Sequence, residues 1–447
     1  MNDFTPWTVF VDTGIIAGLL LIGKLLRTKV RLVQRLFIPP SLMAGFMGLA
    51  LGPNGLGWLP LSHQLGTYAG ILIAFIFSCL PFSGSRQKGN SRNILKMWAY
   101  SQTGMLWQWA FGGLLGIWVL GNIWQTDTAF GIAMPSGFCG GHGTAAAIGE
   151  AFSRFGDTDM LTLAMTAATV GIVASVFIGL VLIKWGTRRG HTSFLSDFSQ
   201  LPEELRTGLL PPEKRESLGN ASCSSISMDP LTLHFAFIAL IALGGYGISQ
   251  LVAVWLPQLQ MPVFSCAFVV GILVKGICTR THTADYLCPT VIGHLSGTFT
   301  DLLVAFGISA IKVEIVLQYW QPLTVLLLAG LAVTLVYVMV ISRLLFKGAH
   351  WFEKALFTWG WYTGTMAMGI ALLRVVDPQM KSRCLDDYAL AYLMIAPVEI
   401  ALITFAPVAF VNGYGLTFLS IAFGAGALLM GVAYAKGWFK QEDPLIS

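Results

Sequence analysis

The sequence predicts an all-α polytopic membrane protein with two inverted-topology repeats of five transmembrane helices, each with a re-entrant glycine-rich segment, plus one extra C-terminal helix. Three observations lead to this fold class. The 447 residues are 55% hydrophobic and only 11% charged, against about 25% charged in ordinary soluble domains. Apolar runs of about 20 residues, enough to cross a bilayer as a helix, recur along the chain. Landmark residues of the first half also recur in the second half at a nearly constant offset.

The apolar runs and the polar stretch between them predict four segments. These are 1–184, the first repeat with a re-entrant segment at about 129–153; 185–229, a cytoplasmic linker; 230–412, the second repeat with a re-entrant segment at about 353–376; and 413–447, an extra transmembrane helix and tail. The eleven predicted spans are about 7–23, 38–52, 66–82, 94–119, 160–183, 230–255, 262–275, 290–311, 322–345, 388–411 and 416–434.

Recurring landmarks indicate that the two halves are copies of one unit. Pro39 and Pro262 are 223 positions apart, and so are Gly137 and Gly360. Because each copy has five spans, an odd number, the second copy must be inserted upside down relative to the first. Inverted repeats of this kind are typical of secondary transporters.

The distribution of basic residues predicts the orientation. All but two of the 27 lysines and arginines fall on one predicted side of the membrane, and the exceptions are Arg154 and Lys312. Basic residues favour the cytoplasmic side, so we expect the N-terminus outside, the C-terminus in the cytoplasm, and a multi-pass location in the plasma (inner) membrane. The net charge of +5 therefore reports topology and does not indicate a nucleic-acid partner.

The seven cysteines predict neither a disulfide framework nor a metal site. They are odd in number and lack the C-x-x-C or Cys/His spacing of zinc ligands. We expect them to be small buried apolar residues. The sequence also predicts no cofactor.

Two glycine-rich tips, each followed by a helical run, are the candidate substrate site. Non-helical backbone at membrane depth is tolerated only where protein or a water-filled cavity satisfies its polar groups. Free N–H groups at 143–145 and 366–368 would direct two positive helix ends at an anion such as a carboxylate. The alternative for the glycines is that they serve packing. The alternative for His142 is that it is a hydrogen-bonded structural histidine. The candidate residues are Ser136, Gly140, Gly141, His142, Gly143, Thr144, Gly360, Gly364 and Thr365.

Acids inside predicted spans are the second signal. Each costs about 2.5 to 3.5 kcal/mol on insertion scales if it meets lipid, and Asp301 and Glu399 are such residues. With the hydroxyls of Thr300 and Thr404 they are candidates for binding a coupling cation, sodium or proton, the alternative being a structural pair. Glu150, Arg154 and Asp159, near the outer end of the first re-entrant segment, are predicted to form a solvated surface cluster.

The second tip also contains aromatic residues. Trp359, Trp361 and Tyr362 are either interface anchors or lining of the substrate path, and the sequence leaves both open.

At the Gly-Gly-His-Gly-Thr of residues 140–144 the chain resembles the sodium/glutamate symporter family. Further resemblance lies in the runs 20–24, 38–39, 168–171, 261–266, 301–313 and 396–397, so it covers about residues 10–412. The resemblance implies two inverted five-helix repeats whose re-entrant segments meet at a substrate site. It also implies sodium-driven uptake of glutamate and a homodimer. The bulky residues of the second tip, and the added acids Asp301 and Glu399, depart from the family's pattern.

The sequence and the resemblance together predict a cation-coupled secondary transporter that imports glutamate or a related carboxylate by alternating access, with sodium as the coupling ion. The alternative is a transporter of another organic anion coupled to protons. An intramembrane enzyme would need a pair such as His-Glu-x-x-His, which the sequence lacks. A channel would need no coupling acids. We therefore expect a membrane transporter and not an enzyme.

Overall fold

The structure is a computed structural model, and it describes residues 5–35, 38–82, 91–194, 207, 209–215, 217–224, 226–256, 261–347, 350–377 and 380–439. Within these ranges every regular element is a helix. Parts of the predicted linker, at 195–206, 208, 216 and 225, lie outside the described residues, as does the predicted tail beyond 439.

Seven principal helices make up the first half. They are α1 (Pro6–Lys29), α2 (Pro40–Leu51), α3 (Leu65–Cys79), α4 (Ser91–Leu115), α5 (Ala133–Phe138), α6 (Gly141–Ser153) and α7 (Asp159–Arg188).

Eight principal helices make up the second half and the extra segment. They are α8 (Pro230–Trp255), α9 (Val263–Arg280), α10 (Pro289–Ser309), α11 (Trp320–Leu345), α12 (Trp351–Thr363), α13 (Met366–Val376), α14 (Cys384–Val411) and α15 (Gly415–Ala435).

Ten helices in the described part of the chain are long and apolar enough to cross a membrane. They correspond to ten of the eleven predicted spans, and the exception is the second. That segment forms α2, which has 12 residues and a length of about 18 Å, well short of the hydrocarbon core of about 30 Å. Pro39 and Pro40 set its start, and the chain leaves the helix at Gly52.

The helices pack as two groups. The panel consists of α1, α2, α3, α8, α9 and α10, and the broken-helix bundle consists of α4 to α7 and α11 to α15. Two small hydrophobic clusters hold the panel together, one around Ile16 and Phe306 and one around Ile238 and Phe299. The largest cluster fills the broken-helix bundle. The two groups meet where α3 and α10 pack against α6.

The first helix break, between α5 and α6, depends on glycine. After Phe138 the chain extends at Cys139, and Gly140 and Gly141 then adopt φ angles of 90° and 62°. Residues with a Cβ rarely adopt this left-handed region. The glycines therefore interrupt the helix and let α6 begin in a new direction.

The second break, between α12 and α13, is made differently. Gly364 has a φ of −149°, so positive φ is not required there. Thr365 is extended and caps α13, because its side chain accepts a hydrogen bond from the Met368 N–H. The Tyr362 carbonyl, freed at the end of α12, accepts from Gln108 Nε2 at 3.1 Å. Threonine capping thus replaces the glycine turn of the first break.

Helix α7 positions both breaks. A Cβ built on Gly137 of α5 would collide with the backbone of α7 at Ala168 and Ala164. A Cβ built on Gly171 of α7 would collide with the carbonyl of Thr363, at the end of α12. Both broken helices thus approach α7 at backbone distance.

Candidate functional site

The two breaks meet inside the protein. A Cβ placed on Gly141 would lie 2.7 Å from Thr365 Cγ2 and 2.8 Å from the Gly364 carbonyl oxygen. The first residue of α6 therefore touches the residues that precede α13. The N-terminal ends of two helices, each with partial positive charge, lie side by side although more than 200 residues separate them in the chain.

Glu399 of α14 lies at the first break. Its side chain is buried, and a Cβ placed on Gly140, the N-cap residue of α6, would lie 3.1 Å from Glu399 Oε1. The Tyr392 hydroxyl donates to Glu399 Oε2 at 3.2 Å. The Thr144 hydroxyl is a second hydrogen-bond partner of the same carboxyl group. The structure thus brings together two predicted residues, Thr144 and Glu399, that the sequence assigned to different tasks.

His142 is completely buried and joins α6 to α7. Its Nε2 lies 3.0 Å from Thr169 Oγ1, and the Thr169 hydroxyl donates to the Met165 carbonyl at 2.9 Å. Nε2 is therefore the donor in the first of these bonds. Nδ1 has no hydrogen-bond partner among the described residues. Because its Nε2 is bonded within the protein, His142 fits the interpretation as a hydrogen-bonded structural histidine at that nitrogen.

Ser136 is also occupied within the protein. Its hydroxyl donates to the Ile132 carbonyl at 2.6 Å, and the residue is fully buried. Gly360 serves close packing, since a Cβ there would lie 2.5 Å from the Gly369 N–H nitrogen. Gly143 has more room, because the one side chain near its Cβ position is Ile73 at 3.6 Å.

Asp301 lies away from this site. It is exposed on α10 of the panel, and its carboxyl group contacts the Ser41 hydroxyl at the start of α2. The neighbouring Thr300 hydroxyl donates to the Ser296 carbonyl at 2.8 Å. The partners of Asp301 and Glu399 do not overlap, so the two acids do not form a pair.

Thr404 occupies a third position. Its Oγ1 lies 2.5 Å from Ser265 Oγ of α9 and donates to the Ile400 carbonyl at 2.6 Å. The hydroxyl pair links α14 of the broken-helix bundle to the panel. The four residues predicted to bind the coupling cation thus lie at three separate places.

The aromatic residues of the second break are buried. Trp359 is fully buried and donates from Nε1 to the Ser175 carbonyl at 3.1 Å. Tyr362 donates to the Ser101 carbonyl at 2.6 Å, and the Trp361 ring lies 5.0 Å from that of Tyr388. Their burial excludes a role as anchors at the membrane surface.

A cavity of about 960 Å³ opens between the far end of α6 and the panel, and Glu150 and Arg154 line it. The Glu150 and Arg154 side chains are only 18% and 17% exposed and are joined by a bond of 2.6 Å. Arg154 also donates to Ser249 Oγ at 2.9 Å and to the Met261 carbonyl at 3.2 Å. The prediction of a solvated surface cluster was therefore wrong for Glu150 and Arg154, because the guanidinium group finds three acceptors between α6 and the panel.

Sequence reasoning missed Tyr392, and it placed Cys139 at the first tip without its contact with Glu399. Tyr392 precedes Glu399 by seven residues, which places both on one face of a helix, so this signal was present in the sequence. Cys139 is buried at the first break and faces Glu399. Its role depends on a contact between distant segments, and the sequence holds no signal for that.

In the described part of the chain, ten membrane-length helices and two broken helices that meet beside a buried acid indicate an integral multi-pass membrane protein. The family model described as Sodium/glutamate symporter matches residues 9–366 of the chain. The chain belongs to the sodium/glutamate symporter family, as the resemblance predicted, and membership makes it a secondary transporter. No curated protein matches the chain. The matched region includes both breaks but ends before Tyr392 and Glu399.

Proposed function

We propose that the protein is a cation-coupled secondary transporter that imports glutamate or a related carboxylate by alternating access. The substrate carboxylate would bind between the N-terminal ends of α6 and α13. The observation that carries this proposal is the contact of Gly141 with Gly364 and Thr365. One helix end contributes about 0.3 to 1 kcal/mol, rising to about 2 when partly buried. Micromolar affinity needs about 8 kcal/mol, so two converging ends and further side-chain contacts are required.

Under this proposal residues 1–184 and 230–412 are the inverted repeats, with α5–α6 and α12–α13 as their re-entrant segments. The packing supports it, because α2 packs on α10 while α3 packs on α9. A two-fold axis that relates α2 to α9 and α3 to α10 exchanges these two contacts. The linker 185–229 would be cytoplasmic, and the N-terminus would lie outside. In the segment 413–447, the tail after the extra helix would also be cytoplasmic.

Coupling would use the buried and in-span acids. Family membership favours sodium, and the alternative is another organic anion coupled to protons. The candidate ligands lie at three places, which are Asp301 with Thr300, Glu399, and Thr404. The proposal includes a homodimer in the lipid bilayer and no cofactor. The broken-helix bundle would move against the panel to alternate access to the site.

Uptake into proteoliposomes tests the proposal. Radiolabelled L-glutamate should accumulate when an inward sodium or proton gradient is imposed, each applied separately. Liposomes carrying Gly141→Val should show no accumulation, because the valine side chain fills the space between the two helix ends. Equal accumulation in wild-type and Gly141→Val liposomes would refute the site, and no accumulation under either gradient would refute the function.

A further inference from the structure

We propose that Glu399 carries a coupling proton, so that an anion binds between the ends of α6 and α13 only while the Glu399 carboxyl group is protonated. This inference rests on the proposed function and concerns how the same site is coupled. It departs from the expectation of sodium as the sole coupling ion.

The first step is that Glu399 stands where an anion would bind. The N-cap residue of α6 is Gly140, and among the described residues no side chain caps this end by a hydrogen bond. Glu399 Oε1 lies beside Gly140. The first-turn N–H groups of a helix without such a cap are the usual place for a carboxylate. At the other break Thr365 caps α13 with its own side chain. The protein thus places its own carboxyl group beside the uncapped end.

The second step is the charge balance. Two helix ends offer roughly half a unit of positive charge each, and an ionised Glu399 offsets about all of it. A substrate carboxylate entering beside an ionised Glu399 would meet a like charge at low dielectric, which disfavours the charged form of both. Protonation removes the repulsion and frees the helix ends for the substrate.

The third step is that no lysine or arginine among the described residues balances the charge of Glu399. Within the described ranges, lysine and arginine make no ion pair with it. The titratable groups that face it are Cys139 before α6 and Tyr388 and Tyr392 on its own helix.

The other titratable groups on the helices packed against α14 have partners elsewhere or lie near helix ends. On α6, His142 bonds Thr169. On α4, Tyr100 bonds the Val338 carbonyl. On α12, Lys354 pairs with Asp387. The remaining ones are Arg92 and Lys96 near the start of α4, Glu150 near the end of α6, Glu353 and Tyr362 on α12, and Tyr434 near the end of α15.

The fourth step distinguishes a proton from a metal cation. An alkali cation needs several oxygen ligands at once, whereas a proton needs a single oxygen. Glu399 has the hydroxyls of Thr144 and Tyr392 beside it, and its further neighbours are the Cys139 thiol and aromatic rings. The surroundings therefore suit a proton.

Binding linked to proton uptake tests the inference on the purified full-length protein, with L-glutamate as the probe. Affinity and proton uptake, the latter followed with a pH dye in weak buffer, are measured between about pH 5.5 and 8.5, where the carboxylates of glutamate stay ionised. Above the pH at which Glu399 ionises, we expect about one proton taken up per glutamate bound. Affinity should then fall about tenfold for each further pH unit, as linkage to one proton requires.

The variant Glu399→Gln imitates the protonated group, so its affinity should not change with pH and its binding should take up no proton. Asp386→Asn removes an acid from the first turn of the same helix and should behave like the wild type. Tyr392→Phe removes a donor to the ionised carboxylate, so the fall in affinity should begin at higher pH. Tyr392→Phe keeps the test valid if Glu399→Gln fails to fold.

The outcomes separate the two proposals. Glutamate binding with the same pH dependence in wild type, Glu399→Gln and Tyr392→Phe would overturn the inference and leave the proposed function standing. Absence of glutamate binding to the wild type at every pH would overturn the proposed function and this inference with it.

Discussion

At the residue scale, Gly140 and Gly141 have backbone angles that other residues rarely adopt, and they pack where a Cβ has no room. Gly141 combines a φ of 62° with a Cβ position 2.7 Å from Thr365 Cγ2. Gly364 on the opposite side has a φ of −149°. Its Cβ position lies 3.1 Å from the nearest atom, the Gly360 carbonyl oxygen. The two tips are therefore unequal in what they tolerate.

This inequality predicts different effects of alanine at the two tips. Gly141→Ala should abolish glutamate binding and cost about 1 to 3 kcal/mol in stability from backbone strain alone. Gly364→Ala should bind glutamate with reduced affinity, since small shifts relieve its contacts. Binding and melting temperature of the purified variants measure this. Gly18→Ala on α1 is the control, because no atom of the described residues lies within 4 Å of its Cβ position. Equal effects at both tips would contradict the argument.

The sequence predicted part of this site. An acid in a span can be recognised from hydropathy alone, which is how Glu399 was found. Its place beside Gly140 could not be predicted, because that contact joins segments about 260 residues apart and depends on how α14 packs against α6. Asp301 carries the same signal in the sequence but lies on the panel next to Ser41. Hydropathy cannot separate the two acids.

At the scale of elements, α6 is held at both of its ends. Its N-terminus meets the second break through Gly141. Near its C-terminus Arg154 reaches Ser249 of α8 and the Met261 carbonyl that precedes α9. Because α6 belongs to the broken-helix bundle and α8 and α9 to the panel, Arg154 links the two groups that alternating access would separate.

Removing this link should weaken the contact between the groups. Arg154→Gln should lower the unfolding free energy by about 2 kcal/mol, since hydrogen bonds of charged groups contribute about 1.5 to 3 kcal/mol and partial exposure reduces this. The melting temperature of the purified protein measures it. Lys312→Gln makes the same change of charge in a residue that lines the same cavity, and it should leave the melting temperature nearly unchanged. If the melting temperature falls less in Arg154→Gln than in Lys312→Gln, the hydrogen bonds of Arg154 do not stabilise the contact between the two groups.

At the scale of the whole molecule, hydropathy predicted ten helices because their apolar runs are long and bounded by charge or by proline and glycine. It overestimated the segment that forms α2, where Pro39 and Gly52 leave room for 12 helical residues. The glycine pattern, and not hydropathy, indicated both helix breaks. How the helices group into a panel and a broken-helix bundle could not be predicted, because grouping depends on side-chain packing between the two halves.

The predicted orientation can be tested on the whole molecule with impermeant thiol reagents in intact cells. Cysteines at Asn122 and Gln125, in the exposed segment after α4, should react from outside. Leu218 of the linker is 73% exposed, and a cysteine there should react only after permeabilisation. Gly219 is a poorer probe site, since its φ is 135° and a Cβ there would lie 2.5 Å from Val291 Cγ2.

The background for this labelling should carry Cys223→Ser and Cys288→Ser, because these two native cysteines are partly exposed whereas the other five are buried. The reasoning is the asymmetry of basic residues, because the linker falls on the predicted side that holds all but two of the 27 lysines and arginines. If cysteine at Leu218 reacts in intact cells while cysteine at Asn122 does not, the whole molecule is inserted the other way round. If both react, the first half has an even number of crossings between them, and the two halves are not inverted copies.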